Sequence, residues 1–274
     1  MKHLWLVLLL LFASSCAKPM GGPLVPIATD PDVVVSLARI RPMPSSLQAR
    51  FSVNIDLGEK NYTVPAALLL DQPDRFRFEL YTPFGTPLAT IASDGEAINV
   101  WSQRDKTFYE GPDASAVLER FTGGKIGIDD LLGIFTGALP MADAEVLSVG
   151  RTVFERGGVA IVMLGPDDIR VRAVIDPRTG MVRRLRVDPP LGDDSESSNG
   201  DEPLLEVRYE GVVRQEKTVL PSRIEVLLPR VDWSLDIEVK KWKVLDEAPA
   251  AFELKAPPRA AVRDLRSALE EMRP

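Results

Sequence analysis

Histidine and cysteine are almost missing from this chain of 274 residues, which has one of each, His3 and Cys16. Both fall within the first sixteen residues. The rest of the chain therefore cannot supply a Ser-His-Asp triad, a Cys-His pair or the nitrogen and sulfur ligands that zinc prefers. We expect no enzyme, no metal site and no cofactor. A glycosidase-like pair of carboxylates is the remaining catalytic alternative.

Clustered positive charge is lacking as well. The chain carries 33 Lys and Arg against 40 Asp and Glu, a formal net charge of −7. Nucleic-acid binding needs a basic surface that neutralises phosphates, so we expect no nucleic-acid partner. Apolar residues make up 45% of the chain, which is enough for a folded core and argues against global disorder.

The only long apolar run is Leu4–Phe12, and its nine residues are too few to span a bilayer, which takes about 20. Small residues follow and lead directly to Cys16, which is the pattern of a secretory signal. The segment resembles a bacterial lipoprotein signal, in which the cysteine is lipidated and becomes the first mature residue. On this resemblance residues 1–15 are the signal peptide and Cys16 is the site of lipid attachment. The alternative is an ordinary secretory signal, because Ala13 stands where lipoprotein signals usually have Leu.

Composition divides the remaining chain into three parts. Residues 16–31 are rich in Pro and Gly and are expected to form a flexible tether. A β domain is expected over residues 32–257. Within it, residues 189–203 carry five acids and no base, which predicts a disordered loop with a calcium site as the alternative. Residues 258–274 are expected to be a C-terminal helix and tail, the helix covering residues 258–273.

Alternation of apolar and polar residues dominates the β domain. Phe76, Phe78 and Leu80 alternate with charged residues, and the same period of two recurs in many short segments with turn residues between them. This pattern predicts half-buried antiparallel strands in sequence order. A mainly β fold in which the sheet curls strongly is expected, because a curled sheet protects its edges.

Two segments interrupt the alternation with a helical period. Residues 113–121 and 128–139 each place apolar side chains along one helical face, and the second is apolar around most of its circumference. We expect two short helices that either cover the concave face of the sheet as a lid or plug, or simply complete its core.

Residues 74–139 carry a resemblance to a known family. A strand ends in Phe-Glu-Leu-Tyr, a Thr-Pro-Phe-Gly turn and two more strands follow, and two short helices come next, with Phe121-Thr122-Gly123 and Leu131-Leu132-Gly133. This order resembles LolB, the outer-membrane lipoprotein receptor, and the wider LolA/LolB-like carrier superfamily. The resemblance implies an unclosed β-barrel of about eleven antiparallel strands with short helices as a lid. It also implies a hydrophobic cavity that takes the acyl chains of other lipoproteins.

Alternation then selects the side chains that would line this cavity, with the ordinary packed core as the alternative for each. They are Phe76, Phe78, Leu80, Ile169, Val171, Ile237 and Val239 on strands, and Leu132 and Phe135 on the lid. In LolB the turn that matches Pro83-Phe84-Gly85 projects an apolar residue that touches the membrane. Phe84 is the corresponding residue, unless it folds back under the barrel.

The leading hypothesis from sequence is a monomeric lipoprotein of the outer membrane, anchored by its acyl chains and facing the periplasm. The residue after Cys16 is Ala17, not the Asp that retains lipoproteins at the inner membrane of enteric bacteria. The expected partners are a periplasmic lipoprotein carrier and its lipoprotein cargo. A scaffold lipoprotein that binds a protein partner, and a carrier of another lipid on the same fold, are the alternatives.

Overall fold

The computed structural model places fifteen strands of the described residues in one continuous sheet. The strands are β1 Leu24–Pro26, β2 Ser46–Asp56, β3 Asn61–Asp71, β4 Arg75–Tyr81, β5 Pro87–Asp94, β6 Ile98–Ser102, β7 Thr107–Gly111, β8 Glu145–Thr152, β9 Val159–Leu164, β10 Arg170–Ile175, β11 Val182–Asp188, β12 Leu205–Gln215, β13 Thr218–Leu228, β14 Trp233–Leu245 and β15 Ala261–Asp264. The helices described are α1 Pro31–Arg39, α2 Ile128–Thr136 and α3 Leu265–Glu271. The structure describes residues 24–26, 31–39, 41, 43–58, 60–112, 127–141, 143–152, 158–190, 202–215 and 217–271.

The sheet consists of two antiparallel meanders that lie side by side. Strands β2 to β7 pair in sequence order, strands β8 to β14 do the same, and β14 then pairs with β2. Neighbouring strands are antiparallel except for β7 and β15, which are parallel. β1 and β15 form the two edges and do not pair with each other. The predicted mainly β, unclosed antiparallel sheet is therefore confirmed, with fifteen described strands where about eleven were expected.

Burial shows which face of the sheet is the inner one. Leu68 on β3 and Val171 on β10 belong to the same hydrophobic cluster, although five strands lie between them in the sheet. The sheet must therefore curl around that cluster, and we call the enclosed surface the concave face. The outer face carries ion pairs between strands, such as Arg186 to Glu206 at 3.0 Å and Arg208 to Glu225 at 3.2 Å.

We call one end of the strands the rim. The connections that begin and end there are residues 57–60, 82–86, 103–106, 165–169, 189–204 and 229–232. The antiparallel register puts them together, because Asp56 pairs with both Asn61 and Ser234. The connections at residues 72–74, 95–97 and 176–181 lie at the opposite end.

The C-terminal prediction is wrong in its first half. Residues 258–273 were expected to be one helix, but Ala261–Asp264 form β15 and Leu265–Glu271 form the short helix α3. All four side chains of β15 are exposed, so apolar periodicity did not distinguish this strand. Backbone pairing with the edge strand β7 selects the extended conformation instead.

Some sequence predictions fall on residues that the structure does not describe. These are the signal peptide 1–15, the lipid attachment site Cys16, the helix at 113–121 and most of the acidic loop 189–203. The described part of the predicted tether contains β1, which pairs with β8. No helix among the described residues is long and apolar enough to cross a membrane.

Candidate functional site

All nine predicted cavity residues belong to one hydrophobic cluster. Five are buried and four are partly buried, and Ile169 lies just before β10 rather than on it. The buried five are Phe76, Leu132, Ile169, Val171 and Ile237, and the partly buried four are Phe78, Leu80, Phe135 and Val239. The cluster therefore has a packed part and a part that solvent reaches.

Helix α2 packs on the concave face at mid-height. The Phe135 ring centroid lies 6.2 Å from that of Phe51 on β2 and 6.0 Å from that of Phe78 on β4. Phe51 also meets Trp242 on β14 edge to face at 5.8 Å. Aromatic pairs at these separations add to the free energy that burial supplies. These rings form the floor that divides the concave face.

The C-terminal end of α2 is fixed by buried hydrogen bonds. The Tyr209 hydroxyl donates to the carbonyl of Ile134 at 2.8 Å. The Arg41 guanidinium donates to the carbonyls of Thr136 at 2.6 Å and Gly137 at 3.2 Å. Helices leave their last carbonyls without intrahelical partners, so these two side chains complete the end of α2.

Burial changes the protonation chemistry of both anchoring side chains. It lowers the pKa of Arg41 to about 10, so the guanidinium still carries its charge at neutral pH. It raises the pKa of the Tyr209 hydroxyl well above its ordinary value, so the hydroxyl keeps the proton that it donates. Both donors are therefore available to α2 over the whole neutral range.

Gly137 explains why α2 ends where it does. Its φ is 69°, in the left-handed region that glycine adopts without the penalty of a Cβ atom. A Cβ at this position would lie 2.9 Å from Cγ of Met181. Side chains other than hydrogen are thus disfavoured both by conformation and by packing.

On strands β2 to β4, β13 and β14, the concave face is closed on the side of this floor away from the rim and open on the side toward the rim. On β10 and β11 it is closed near the rim as well, because Val171 and Val187 there are at most 2% exposed. The closed half, at the end opposite the rim, contains Leu47, Ala49, Leu68, Leu70 and Phe76, all at most 5% exposed. The open half contains Ile55, Val64, Leu80, Leu228 and Leu235, which are only partly buried. Among the described residues nothing covers the open half completely, and apolar side chains line it on five strands.

Phe84 lies at the tip of the turn between β4 and β5 and is 95% exposed. The turn is held by the Gly85 amide, which donates to the Thr82 carbonyl at 2.9 Å. The Thr86 amide donates to the Thr82 hydroxyl at 3.1 Å. Phe84 therefore projects from the rim and does not fold back under it.

Among the described residues, the open half offers an apolar surface. The described residues include no group of three or more His, Cys, Asp or Glu side chains placed to hold a metal ion. The open half can exclude water from apolar groups that bind there. Such burial contributes about 25 cal/mol for each Å² of apolar surface removed from water.

Several residues that shape the site were not predicted. Arg41 and Tyr209 carry no local signal, because their partners on α2 are about 95 and 75 positions away. Leu57, Tyr62 and Trp233 flank turn residues and are exposed at the rim. The sequence signal that could have identified these three residues is a large apolar residue directly beside a turn.

Comparison with solved structures shows which proteins share this fold. A LolA superfamily protein from Nitrosomonas europaea superposes with a TM-score of 0.55 at 12% identity, over 83% of this chain and 99% of that one. A DUF1329 family protein from Desulfovibrio piger gives a TM-score of 0.59 at 11% identity, over 82% of this chain and 98% of that one. The fold is LolA-like. A protein domain described as sorting outer-membrane lipoproteins, from Vibrio parahaemolyticus, gives 0.55 at 9% identity, over 80% of this chain and 93% of that one.

These likenesses concern the fold alone, because each identity is far below the level at which residues can be matched. No protein-family profile matches the chain, and no curated protein matches it either. The LolA-like fold is thus found for this chain through its structure. The more specific likeness to LolB rests on the sequence resemblance of residues 74–139.

Proposed function

We propose that the protein is a lipoprotein receptor of the outer membrane that binds the acyl chains of other lipoproteins and inserts them into that membrane. The open half of the concave face is the observation that carries the proposal. It is apolar, partly exposed, bounded by the Phe51, Phe78 and Phe135 rings, and set in a LolA-like fold. Acyl chains gain about 0.8 kcal/mol for each methylene that they bury.

The proposed cycle needs no catalytic group. A periplasmic carrier presents the acyl chains at the rim, the open half accepts them, and the membrane then takes them up because it buries the chains more completely. Cys16 anchors the receptor by its own acyl chains, and Phe84 is the first side chain to meet the membrane during delivery. The receptor acts as a monomer and without a cofactor.

A transfer assay tests this proposal. The protein without residues 1–15 and with Cys16→Ala is mixed with a purified periplasmic carrier that holds a labelled triacylated lipoprotein, and the two proteins are then separated. We expect the label to move to this protein. If it stays on the carrier while this protein is folded, the receptor function is wrong.

A carrier of another lipid is the alternative that the same surface permits. An apolar concave face recognises chain length and shape more than headgroup. Free phospholipid recovered with the purified protein, together with no label transfer, would support that alternative and contradict lipoprotein delivery.

A further inference from the structure

Charge on the outer face of the sheet is balanced in one region and unbalanced in another. On β11, Arg186 contacts both Asp188 at 2.6 Å and Glu206 at 3.0 Å. On β14, Lys241 and Lys243 are exposed, and no described residue forms an ion pair with either of them. Uncompensated positive charge therefore lies on β14, in a chain whose formal net charge is −7.

A β-bulge on β14 turns two consecutive lysines toward the exposed side. The pairing of β14 with β2 shifts register between Val239 and Lys241. Val239 packs against the hydrophobic cluster and Trp242 is 3% exposed, whereas Lys240 and Lys241 between them are both exposed. In a regular strand successive side chains point to opposite faces, so the bulge is what brings both lysines to one face. Bulges commonly redirect side chains next to functional sites.

Pairing with β2 brings a further cation to the same place. Lys241 pairs with Arg50 and Lys243 pairs with Gln48, and both of these β2 residues are exposed. Like charges directly opposite each other destabilise an antiparallel sheet. The needs of folding therefore do not explain this pair. We call Arg50, Lys240, Lys241 and Lys243 the basic cluster.

The acids nearest to the basic cluster leave most of its charge unbalanced. Glu238 pairs with Lys240 at 2.6 Å. Glu79 lies on the same face of β4, two strands from β2. Its carboxylate already accepts hydrogen bonds from Arg77 at 2.8 Å and from the Tyr81 hydroxyl. The other three cations of the cluster are therefore available to an anionic ligand.

The spacing of these cations fits an extended acidic chain. The Cα atoms of Lys241 and Lys243 are two residues apart on one strand, which is about 7 Å. Arg50 lies opposite Lys241, with about 5 Å between the Cα atoms. Alternate side chains of an extended peptide have the same spacing of about 7 Å. Two carboxylates on one side of such a peptide can therefore meet both lysines at once.

Exposed acids on both sides of the basic cluster limit the width of its ligand. Glu238 precedes the cluster on β14, and Asp246 and Glu247 follow this strand directly, all three exposed. A broad anionic surface would meet these three acids together with the four cations, because the Debye length at physiological salt is about 8 Å. A narrow acidic segment can contact the cations alone. The cluster thus favours a protein segment over an anionic bilayer.

We propose that the basic cluster docks an extended acidic segment of a partner protein on the outer face of β14 and β2. Carboxylates of the segment pair with the ammonium groups of Lys241 and Lys243 and with the guanidinium of Arg50. Attraction of this kind speeds association and weakens as salt increases. The docked segment leaves the concave face free, so the inference does not depend on the proposed receptor function.

Fluorescence anisotropy with an acidic peptide tests this proposal. The probe is a fluorescein-labelled octapeptide in which Glu and Thr alternate, and it is mixed with the full chain at low salt. We expect binding that weakens about tenfold in Lys241→Gln with Lys243→Gln, since two of the contacting charges are lost. Lys60→Gln with Lys106→Gln removes the same charge from exposed positions at the rim and should leave the affinity unchanged. No binding to the native protein, or equal weakening by both double variants, overturns the proposal.

Vesicles distinguish a protein partner from a membrane. Phosphatidylcholine vesicles that contain phosphatidylglycerol are mixed with the native protein and with Lys241→Gln, Lys243→Gln. We expect the two proteins to bind these vesicles equally. If vesicle binding is lost in the variant while the peptide binds both proteins alike, the cluster docks an anionic bilayer and the proposal is wrong.

Thermal unfolding separates a docking role from a structural one. Lys241→Gln relieves the like-charge pair with Arg50, so its Tm at low salt should be equal to or higher than that of the native protein, and high salt should remove any difference. A lower Tm would mean that Lys241 serves folding and would contradict the proposal. Failure of lipoprotein transfer in the native protein would leave this inference standing, because the basic cluster lies outside the concave face.

Discussion

The two halves of the concave face are built from the same kinds of side chain but are held in different ways. In the closed half, α2 is fixed by Arg41 and Tyr209, and the strand side chains beneath it are almost fully buried. In the open half, the side chains near the rim are only partly buried, and no described element covers them as α2 covers the closed half. Stability thus resides mainly in one half, which leaves apolar surface available for binding in the other.

Truncating one leucine in each half gives the largest expected difference. Leu68 and Leu80 lie on neighbouring strands, Leu68 at 1% exposure and Leu80 partly buried. Leu68→Ala should lower the free energy of unfolding by about 2–5 kcal/mol, because it leaves a cavity in packed surroundings. Leu80→Ala should cost about 1 kcal/mol or less. Urea unfolding of both variants checks this, and equal losses would mean that the two halves are packed alike.

Removing the hydroxyl of Tyr209 should have the next largest effect. Tyr209→Phe leaves the buried Ile134 carbonyl without its side-chain donor, which should cost about 1–3 kcal/mol. Tyr62→Phe at the rim serves as the matched control and should be nearly neutral, since Tyr62 is exposed. A Tyr209→Phe protein as stable as the native one would show that α2 does not depend on this bond.

Asp130 on α2 gives a smaller, pH-dependent effect. Burial raises the pKa of its carboxyl above the ordinary value, and hydrogen bonds from the Met141 and Gly127 amides only partly oppose this. A raised folded-state pKa contributes stability below the unfolded pKa that is lost as pH rises through the folded value. Asp130→Asn should therefore gain stability relative to the native protein as the pH rises above about 4, the ordinary pKa of Asp. The exposed Asp246→Asn serves as the control, and parallel stability profiles for all three proteins would contradict the assignment.

Phe84 should have the smallest effect on stability and a clear effect on function. Phe84→Glu removes a side chain that is 95% exposed, so the free energy of unfolding should change by less than about 0.5 kcal/mol. Delivery of lipoproteins to vesicles should be impaired, while binding of acyl chains stays intact. Delivery at the native rate would contradict a membrane contact at this turn.

The sequence predicts the repeating parts of the fold well because one physical rule governs them. Period-two alternation placed β4 at Phe76, Phe78 and Leu80, and the apolar helical run placed α2 within residues 128–139. Each of these elements buries one face, so its apolar pattern is complete in its own residues.

Elements that owe their conformation to a distant partner were not predictable in the same way. β15 buries no side chain and is selected by pairing with β7. The division of the concave face is equally non-local, because Phe78 and Ile237 follow the same strand pattern, yet Ile237 is buried and Phe78 is only partly buried. Membership of the cluster could therefore be predicted from alternation, whereas the boundary between packed core and open surface could not.

Acyl-chain affinity after filling the open half tests the central claim most directly. Val64 lies in the open half, and Val212 is exposed near the end of the strands opposite the rim, so Val64→Phe and Val212→Phe form a matched pair. We predict that the Kd for a triacylated lipopeptide rises about tenfold or more in Val64→Phe, since the added ring occupies space that the chains would fill. Val212→Phe should bind like the native protein. Native affinity in a folded Val64→Phe protein would contradict the assignment of the open half as the acyl-chain site.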